Sequence, residues 1–203
     1  ETEKLNTIIL RKRKDIHEIL KMTDKIKGEK VFYINSYCKL TNNNVIQYLL
    51  NENKSFIGPL LRNPDSLYSN FWGKLDNRNY YARSKNYIDI LENKQNSCWI
   101  VPYVGYCFLI NKELFSIKNL ISNLDKGSGY DMALCYNIRK SNIFINILNT
   151  DIFGFYTDKV GIRQNNIKNI SLNDYNSNKL LWEKKYLDSS FTTNIIMKEI
   201  GNN

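Results

Sequence analysis

The chain has 203 residues, 42% of them hydrophobic and 24% charged, which is enough apolar material to bury a core in one large domain or two small ones. A formal net charge of +9 is spread along its length except for the run Arg11-Lys12-Arg13-Lys14. That run reads as a solvated helix face, because no nucleic-acid-binding motif accompanies it, and no apolar stretch approaches the roughly 20 residues that span a bilayer.

No basic, apolar and small-residue leader opens the chain. It starts on Glu1 rather than methionine and is read as a segment of a longer protein. Ile16, Ile19, Leu20, Thr23 and Ile26 have helical spacing, and Gly28 supplies a stop. Val31 to Ile34 reads as a short strand buried on both faces. Val45, Ile46, Leu49 and Leu50 predict an amphipathic helix capped by one of Asn42 to Asn44. Phe56 to Leu61 is the next strand, with Pro59 bending it or placing it near an edge.

A long aromatic excursion follows, from Leu67 to Ile110, and its end, Tyr106 to Ile110, returns as a buried strand. Trp72 and Trp99 are expected to be largely buried in it, since aromatics at this density dominate cores and interfaces. Leu114, Ile117, Leu120, Ile121 and Leu124 then recur at helical spacing, and Gly127-Ser128-Gly129 breaks that helix. Asp131 opens another that reaches about Arg139, and Ile143, Ile145 and Ile147 alternate as a strand does. Phe153 to Tyr156 reads as a further strand, and a last helix lies around Lys179 to Tyr186. Strands alternating with helices predict an α/β sandwich on a mostly parallel sheet. One domain over residues 1–191 is expected, with the start of a linker over 192–203.

Four cysteines (Cys38, Cys98, Cys107, Cys135) lack the paired short spacing of a zinc site. Cys107 and Cys135 lie in apolar runs and read as buried thiols, while a Cys98–Cys107 bridge stays open if folding takes place in an oxidising lumen.

The motifs Asn70-Phe71-Trp72-Gly73, Tyr80-Tyr81-Ala82-Arg83-Ser84, Tyr87-Ile88-Asp89-Ile90 and Trp99-x-Val101-Pro102-Tyr103 resemble the procollagen lysyl hydroxylase/glycosyltransferase family. The likeness continues through Asp131-Met132-Ala133-Leu134-Cys135-x-Asn137-x-Arg139 and more weakly at Leu181-Trp182-Glu183-Lys184-Lys185-Tyr186. Specifically, it is to that family's central accessory domain, between the glycosyltransferase and the Fe(II)/2-oxoglutarate hydroxylase. The resemblance implies the Rossmann-like glycosyltransferase fold called GT-A. The richness in Asn, Lys and Ile hints at an AT-rich genome and a giant-virus version of the family.

A metal-dependent transferase of that fold places Asp-x-Asp after a central strand, where the carboxylates hold Mn²⁺ against the diphosphate of a UDP-sugar. By register with Val31–Ile34, those positions fall on Asn35, Ser36 and Tyr37, a degenerate metal and nucleotide site without a carboxylate. The sole histidine, His17, precedes the strand and reads as a helix-face residue, so the fold's late metal-binding histidine has no candidate. Asp131 is the remaining catalytic candidate, as an acceptor-binding or base carboxylate, against a plain first-turn acid favoured by the helix dipole. Arg83 offers either a bidentate phosphate clamp or a pair with Asp89 and a stack on Tyr81. Asn70, Trp72, Tyr81, Arg83, Asp89, Trp99 and Tyr103 together form a candidate ligand or substrate surface. Gly127-x-Gly129 alone does not make a phosphate loop. A lone histidine also excludes a non-haem iron site within the segment.

The reading is a non-catalytic accessory domain that spaces the transferase and hydroxylase modules of a collagen-lysine-modifying protein and helps to bind collagen. The alternatives are an active UDP-sugar-dependent collagen glycosyltransferase and a plain packing module. No cofactor is expected in the segment. Fe(II), 2-oxoglutarate and ascorbate, and Mn²⁺ with UDP-sugar, are what the resemblance implies for neighbouring domains. Implied partners are those domains and collagen-like polypeptide, with no nucleic acid and no membrane span. The implied place is the endoplasmic reticulum lumen or secretory pathway, or host cell or virion for a viral version.

Overall fold

The computed structural model describes residues 28–64, 67–77, 81–117, 120 and 130–156. The expected first helix with His17, the Gly127–Gly129 break, the helix around 179–186, the linker from 192 and Tyr80 lie outside the described residues.

In chain order the elements are β1 (Lys30–Ile34), β2 (Cys38–Leu40), α1 (Val45–Asn51), β3 (Phe56–Pro59), β4 (Leu61–Arg62), β5 (Phe71–Trp72), β6 (Lys74–Leu75) and β7 (Tyr81–Ala82). There follow α2 (Tyr87–Leu91), β8 (Cys98–Ile100), β9 (Tyr103–Val104), β10 (Cys107–Asn111), a 3₁₀ turn (Lys112–Ser116), α3 (Tyr130–Lys140), β11 (Asn146–Leu148) and β12 (Gly154–Tyr156). The main sheet has the order β1-β10-β3-β11-β8, and a smaller one runs β2-β12-β4.

The fold is α/β as expected, but the sheet is mixed rather than mostly parallel. Only β3 and β11 pair in parallel, while β1–β10, β10–β3 and β11–β8 are antiparallel. The aromatic excursion is the cause. It leaves after β4 and returns as β10, which slots between β1 and β3 and runs against both. Val31–Ile34 is consequently an edge strand, not a central one. Its residues are half-buried, and Ile34 is 43% exposed.

Two apolar layers sandwich the sheet. On one face a ladder of rings, Tyr33, Phe108 and Phe56, crosses β1, β10 and β3 with centroids 4.9 and 4.7 Å apart. Met132, Leu134, Cys135 and Ile138 of α3 belong to the same cluster. On the other face Val45 and Leu49 of α1 join Ile57, Leu109, Leu148 and Phe153. The period-3.6 pattern of α1 thus does what it predicts, burying Val45 and Leu49. Its entry is shaped by Asn42, whose Oδ1 accepts the Asn44 N–H at 2.7 Å.

Pro59 closes an interior strand rather than an edge one, and there the chain bends over into the second sheet. Gly58 beside it has no room for a side chain, since a Cβ would run into Val104 Cγ1 and come within 2.8 Å of the Cys107 carbonyl. That close approach seats the end of the excursion on β3. Asn146 and Leu148 of β11 are as buried as Ile147, so this strand is covered on both faces and does not alternate. The helix expected from Leu114 onwards begins as the 3₁₀ turn with Leu114 buried, and its continuation falls largely outside the described residues.

Candidate functional site at the sheet's carboxyl edge

β1, β3 and β11 point the same way, so their carboxyl ends share one edge. Continuing the pairings along it places Ile34, Cys107, Pro59, Leu148 and Cys98 in one row. Cys107 and Cys98 are therefore three strand spacings apart, about 14 Å. A disulfide needs Cα atoms within about 7 Å, so the Cys98–Cys107 bridge is ruled out, and all four cysteines are free. Burial pushes Cys135 up to about 12 and Cys98 up to about 11, which makes both weak nucleophiles at neutral pH.

Asn35, Ser36 and Tyr37 stand just past Ile34 on this edge, as the register argument requires, although beyond an edge strand. They form a closed turn. Asn35 Oδ1 accepts the Tyr37 N–H at 3.0 Å, the Asn35 carbonyl accepts the Cys38 N–H at 3.0 Å, and the Asn35 N–H donates to the Tyr106 carbonyl at 2.7 Å. An Asx turn of this kind uses the amide oxygen that would otherwise be the best cation ligand. Tyr37 contributes a phenol where the motif has a carboxylate.

Asp131, in the first turn of α3, faces the same place. Its Oδ2 accepts the Tyr106 backbone N–H at 3.1 Å. Tyr106 has φ +63°, and the Cys107 N–H closes a tight turn on the Gly105 carbonyl at 2.7 Å. A non-glycine residue in that conformation is strained and persists only when its surroundings hold it. Asp131 on its N–H, Asn35 on its carbonyl and Tyr156 stacked on its ring at 4.8 Å supply the hold. Gly105 must be glycine for another reason: a Cβ would strike the Tyr103 hydroxyl and lie 3.2 Å from Asp131 Oδ2. Desolvation by burial raises the Asp131 carboxyl, with the Tyr106 N–H partly opposing. Burial first, then the Asp131 charge, raises the Tyr103 phenol as well.

These residues do not suit a Mn²⁺–diphosphate complex. The two Asp-x-Asp positions offer an amide oxygen already engaged and a phenol, and Asp131, with Oδ2 on the Tyr106 N–H, would add a single carboxylate. Among the described residues no group of three or more His, Cys, Asp and Glu side chains is placed to hold a metal ion.

The sign of the Asp131 effect is testable. A carboxyl whose pKa is raised on folding binds its proton more tightly in the native state. Stability therefore falls as pH rises from the unfolded value, near 3.9, through the folded one. Asp131→Asn keeps an acceptor for the Tyr106 N–H without the charge. It should be as stable as the parent at pH 4 and more stable at pH 7, as read from urea midpoints. A parent that gains stability over that interval relative to Asp131→Asn would contradict the burial argument.

The candidate surface in the excursion separates into two sets. Asn70, Trp72, Tyr81 and Tyr103 are buried and build the core. Asn70 Oδ1 accepts the Leu61 N–H at 2.8 Å, and its Nδ2 donates to the Pro59 and Gly105 carbonyls at 3.0 and 3.3 Å. It pins the bend after β3 to the Gly105 turn. Arg83, Asp89 and Trp99 are partly buried. The Arg83 guanidinium lies over the rings of Tyr68 and Tyr87, 4.7 and 5.2 Å from their centroids, rather than on Tyr81. Asp89 pairs with Lys94 at 3.5 Å, not with Arg83. Tyr81 carries Arg139 instead, which also donates to the Pro102 carbonyl. Trp99 is partly buried against the main core, and its Nε1 donates to Asn149 Oδ1 at 3.0 Å.

Sequence reasoning misses Tyr106 and Asn149. In a Gly-Tyr pair the glycine is the natural bearer of a positive φ, yet here it is the tyrosine. Asn149 sits in the polar Asn149-Thr150-Asp151 stretch, which reads as an ordinary loop.

Residues 4–172 match the family model described as glycosyltransferase family 25, N-terminal domain. The procollagen lysyl hydroxylase and glycosyltransferase of Acanthamoeba polyphaga mimivirus is 36% identical over 171 residues, covering 81% of this chain and 19% of that protein. Procollagen-lysine,2-oxoglutarate 5-dioxygenase 1 of Gallus gallus is 32% identical over 168 residues, covering 79% of this chain and 22% of that protein. The chain thus spans about a fifth of the length of these curated relatives. Apo UDP-glucose pyrophosphorylase aligns over 89% of this chain and 64% of its own at 14% identity, with a TM-score of 0.42. The family resemblance, carried in the sequence by Asn70–Gly73, Tyr80–Ser84, Tyr87–Ile90 and Trp99–Tyr103, is borne out by these relatives.

Proposed function

The chain belongs to the family of glycosyltransferase family 25 N-terminal domains, and from that premise we propose that it is a non-catalytic accessory domain of a collagen-lysine-modifying protein. One observation carries the reading: at the edge where a transferase holds its metal and nucleotide, Asn35 is closed into a turn and Asp131 is bound to the Tyr106 backbone. With Asn35 Oδ1 consumed by the turn and one Asp131 oxygen committed, the paired anionic ligands that a metal–diphosphate complex needs are missing. The domain spaces and orients a transferase module and a hydroxylase module in a longer chain, a role in keeping with the mimivirus relative, whose name carries both activities. It occupies residues 1–191, and 192–203 begin the linker onwards.

In this reading Mn²⁺ and UDP-sugar serve the neighbouring transferase, while Fe(II), 2-oxoglutarate and ascorbate serve the hydroxylase. Arg83, Asp89 and Trp99 are the residues of the excursion left to meet collagen-like polypeptide. The place of work is the lumen of the endoplasmic reticulum, or the host cell or virion for a viral version. No helix of the described residues is long and apolar enough to cross a membrane.

Calorimetric titration tests the proposal. UDP-sugar with Mn²⁺ should give no saturable heat at millimolar ligand, and a collagen-like triple-helical peptide should bind, more weakly after Trp99→Ala. Saturable, Mn²⁺-dependent UDP-sugar binding would favour the transferase alternative, and absence of both heats would favour a plain packing module.

A further inference from the structure

The edge of the sheet opposite the carboxyl one carries a feature that the accessory role does not use. Asn53-Lys54-Ser55 is an Asn-x-Ser acceptor sequence for N-linked glycosylation, with no proline at its middle position. Such sequences arise by chance in an Asn-rich chain, so placement decides. Asn53 follows α1 directly, in a turn closed by its own N–H on the Leu50 carbonyl at 3.0 Å. Its φ of +47° is the left-handed conformation that asparagine tolerates in turns. Asn53 and Lys54 are exposed and Ser55 is half-buried, so the acceptor side chain stands in solvent. A shallow open cleft lined by Asn53, Glu29, Lys30 and Lys112 adjoins it, leaving space for a bulky polar group. Asn70, Asn146 and Asn149, by contrast, are buried and hydrogen-bonded.

We propose that Asn53 is an N-glycosylation site, occupied when the chain is synthesised into the secretory lumen. The proposal rests on the luminal location in the reading above, not on the absence of catalysis. Asn53 Nδ2 attacks the anomeric carbon of a polyprenyl-diphosphate-linked oligosaccharide. The N–C bond forms as the C–O bond to diphosphate breaks, the diphosphate leaves with the bonding pair, and the amide gives up one proton. The Ser55 backbone is tied into the sheet, its carbonyl accepting the Asn111 N–H at 2.9 Å. The acceptor sequence is thus most adaptable before β3 and β10 pair, and transfer precedes folding. A glycan there marks the amino edge of β1 and β3 as solvent-facing, so neighbouring domains pack elsewhere.

The test expresses the 203-residue chain behind a secretory leader in a eukaryotic cell, with a second acceptor sequence appended after Asn203 to report luminal delivery. Among molecules glycosylated at the appended site, peptide mapping after enzymatic glycan release should find Asn53 converted to Asp. Asn53→Gln and Ser55→Ala should each lose one glycan-sized mobility shift, and Ser55→Thr should retain it. Asn169-Ile170-Ser171 is a second natural acceptor sequence, so Asn169→Gln serves as the internal control and must leave the Asn53 glycan in place. Delivered molecules with unmodified Asn53, or an Asn53→Gln chain whose mobility equals the parent's, would overturn the assignment. Neither result bears on the calorimetric test, which needs no glycan.

Discussion

Trp72→Ala should destabilise the chain by about 3–5 kcal/mol, read from urea denaturation followed by circular dichroism. Trp72 is 5% exposed and lies edge-on to Tyr68 and stacked with Tyr87, each at 6.3 Å. Tyr87 in turn stacks on Phe71 at 4.9 Å, and its hydroxyl lies 2.8 Å from Ser69 Oγ. Deleting the indole removes a large buried surface and leaves a cavity that rings fixed by hydrogen bonds cannot collapse to fill. Trp99→Ala should cost less, about 1–2 kcal/mol, because that side chain is only partly buried. A loss below about 1 kcal/mol at Trp72 would place it outside the core.

Asn149→Leu should cost about 3 kcal/mol or more and should red-shift Trp99 fluorescence. Asn149 is fully buried, and its amide meets four partners. Its Oδ1 accepts the Ser97 N–H at 2.8 Å and Trp99 Nε1 at 3.0 Å, while Nδ2 donates to the Ile90 and Gln95 carbonyls at 2.9 Å each. These bonds tie the end of β11 to α2 and to the loop before β8. Leucine has the same branching and heavy-atom count, though bulkier methyl groups, and it leaves two donors and two acceptors facing an apolar group; each unmet buried group costs about 1–3 kcal/mol. Asn149→Asp should also fail, since a second oxygen would face two carbonyls. Unchanged amide protection at Ser97 in Asn149→Leu would contradict the assigned network.

Much of the local structure is legible in the chain before any coordinates. The 3.6-residue spacing of Val45 and Leu49 and the run from Asp131 to Arg139 specify α1 and α3, because a helix that buries one face writes that face into its period. Strand pairing is not written in this way. Val31–Ile34 is apolar at consecutive positions, yet it ends at a sheet edge, since β10 returns over some forty residues to take the inner place. Nothing local to either segment records that choice. The candidate site divides likewise. The absence of carboxylates at Asn35 and Tyr37 is plain from residue identity. That Asp131 braces a strained Tyr106 depends on contacts across 25 residues and on a backbone conformation that Gly105 does not announce. Asn70 and Tyr81 look like ligand groups by type and prove to be core because the excursion folds back onto itself.

Under the proposed accessory role, this carboxyl edge is closed to nucleotide-sugar chemistry. A radiolabelled-sugar assay on the purified chain, with UDP-glucose and UDP-galactose, Mn²⁺ and a hydroxylysine-bearing collagen peptide, tests it most directly. The expected result is hydrolysis and transfer at background, unchanged by EDTA and by Asp131→Asn. Transfer that is lost on adding EDTA and again in Asp131→Asn would contradict the account and make Asp131 a working carboxylate of an active transferase.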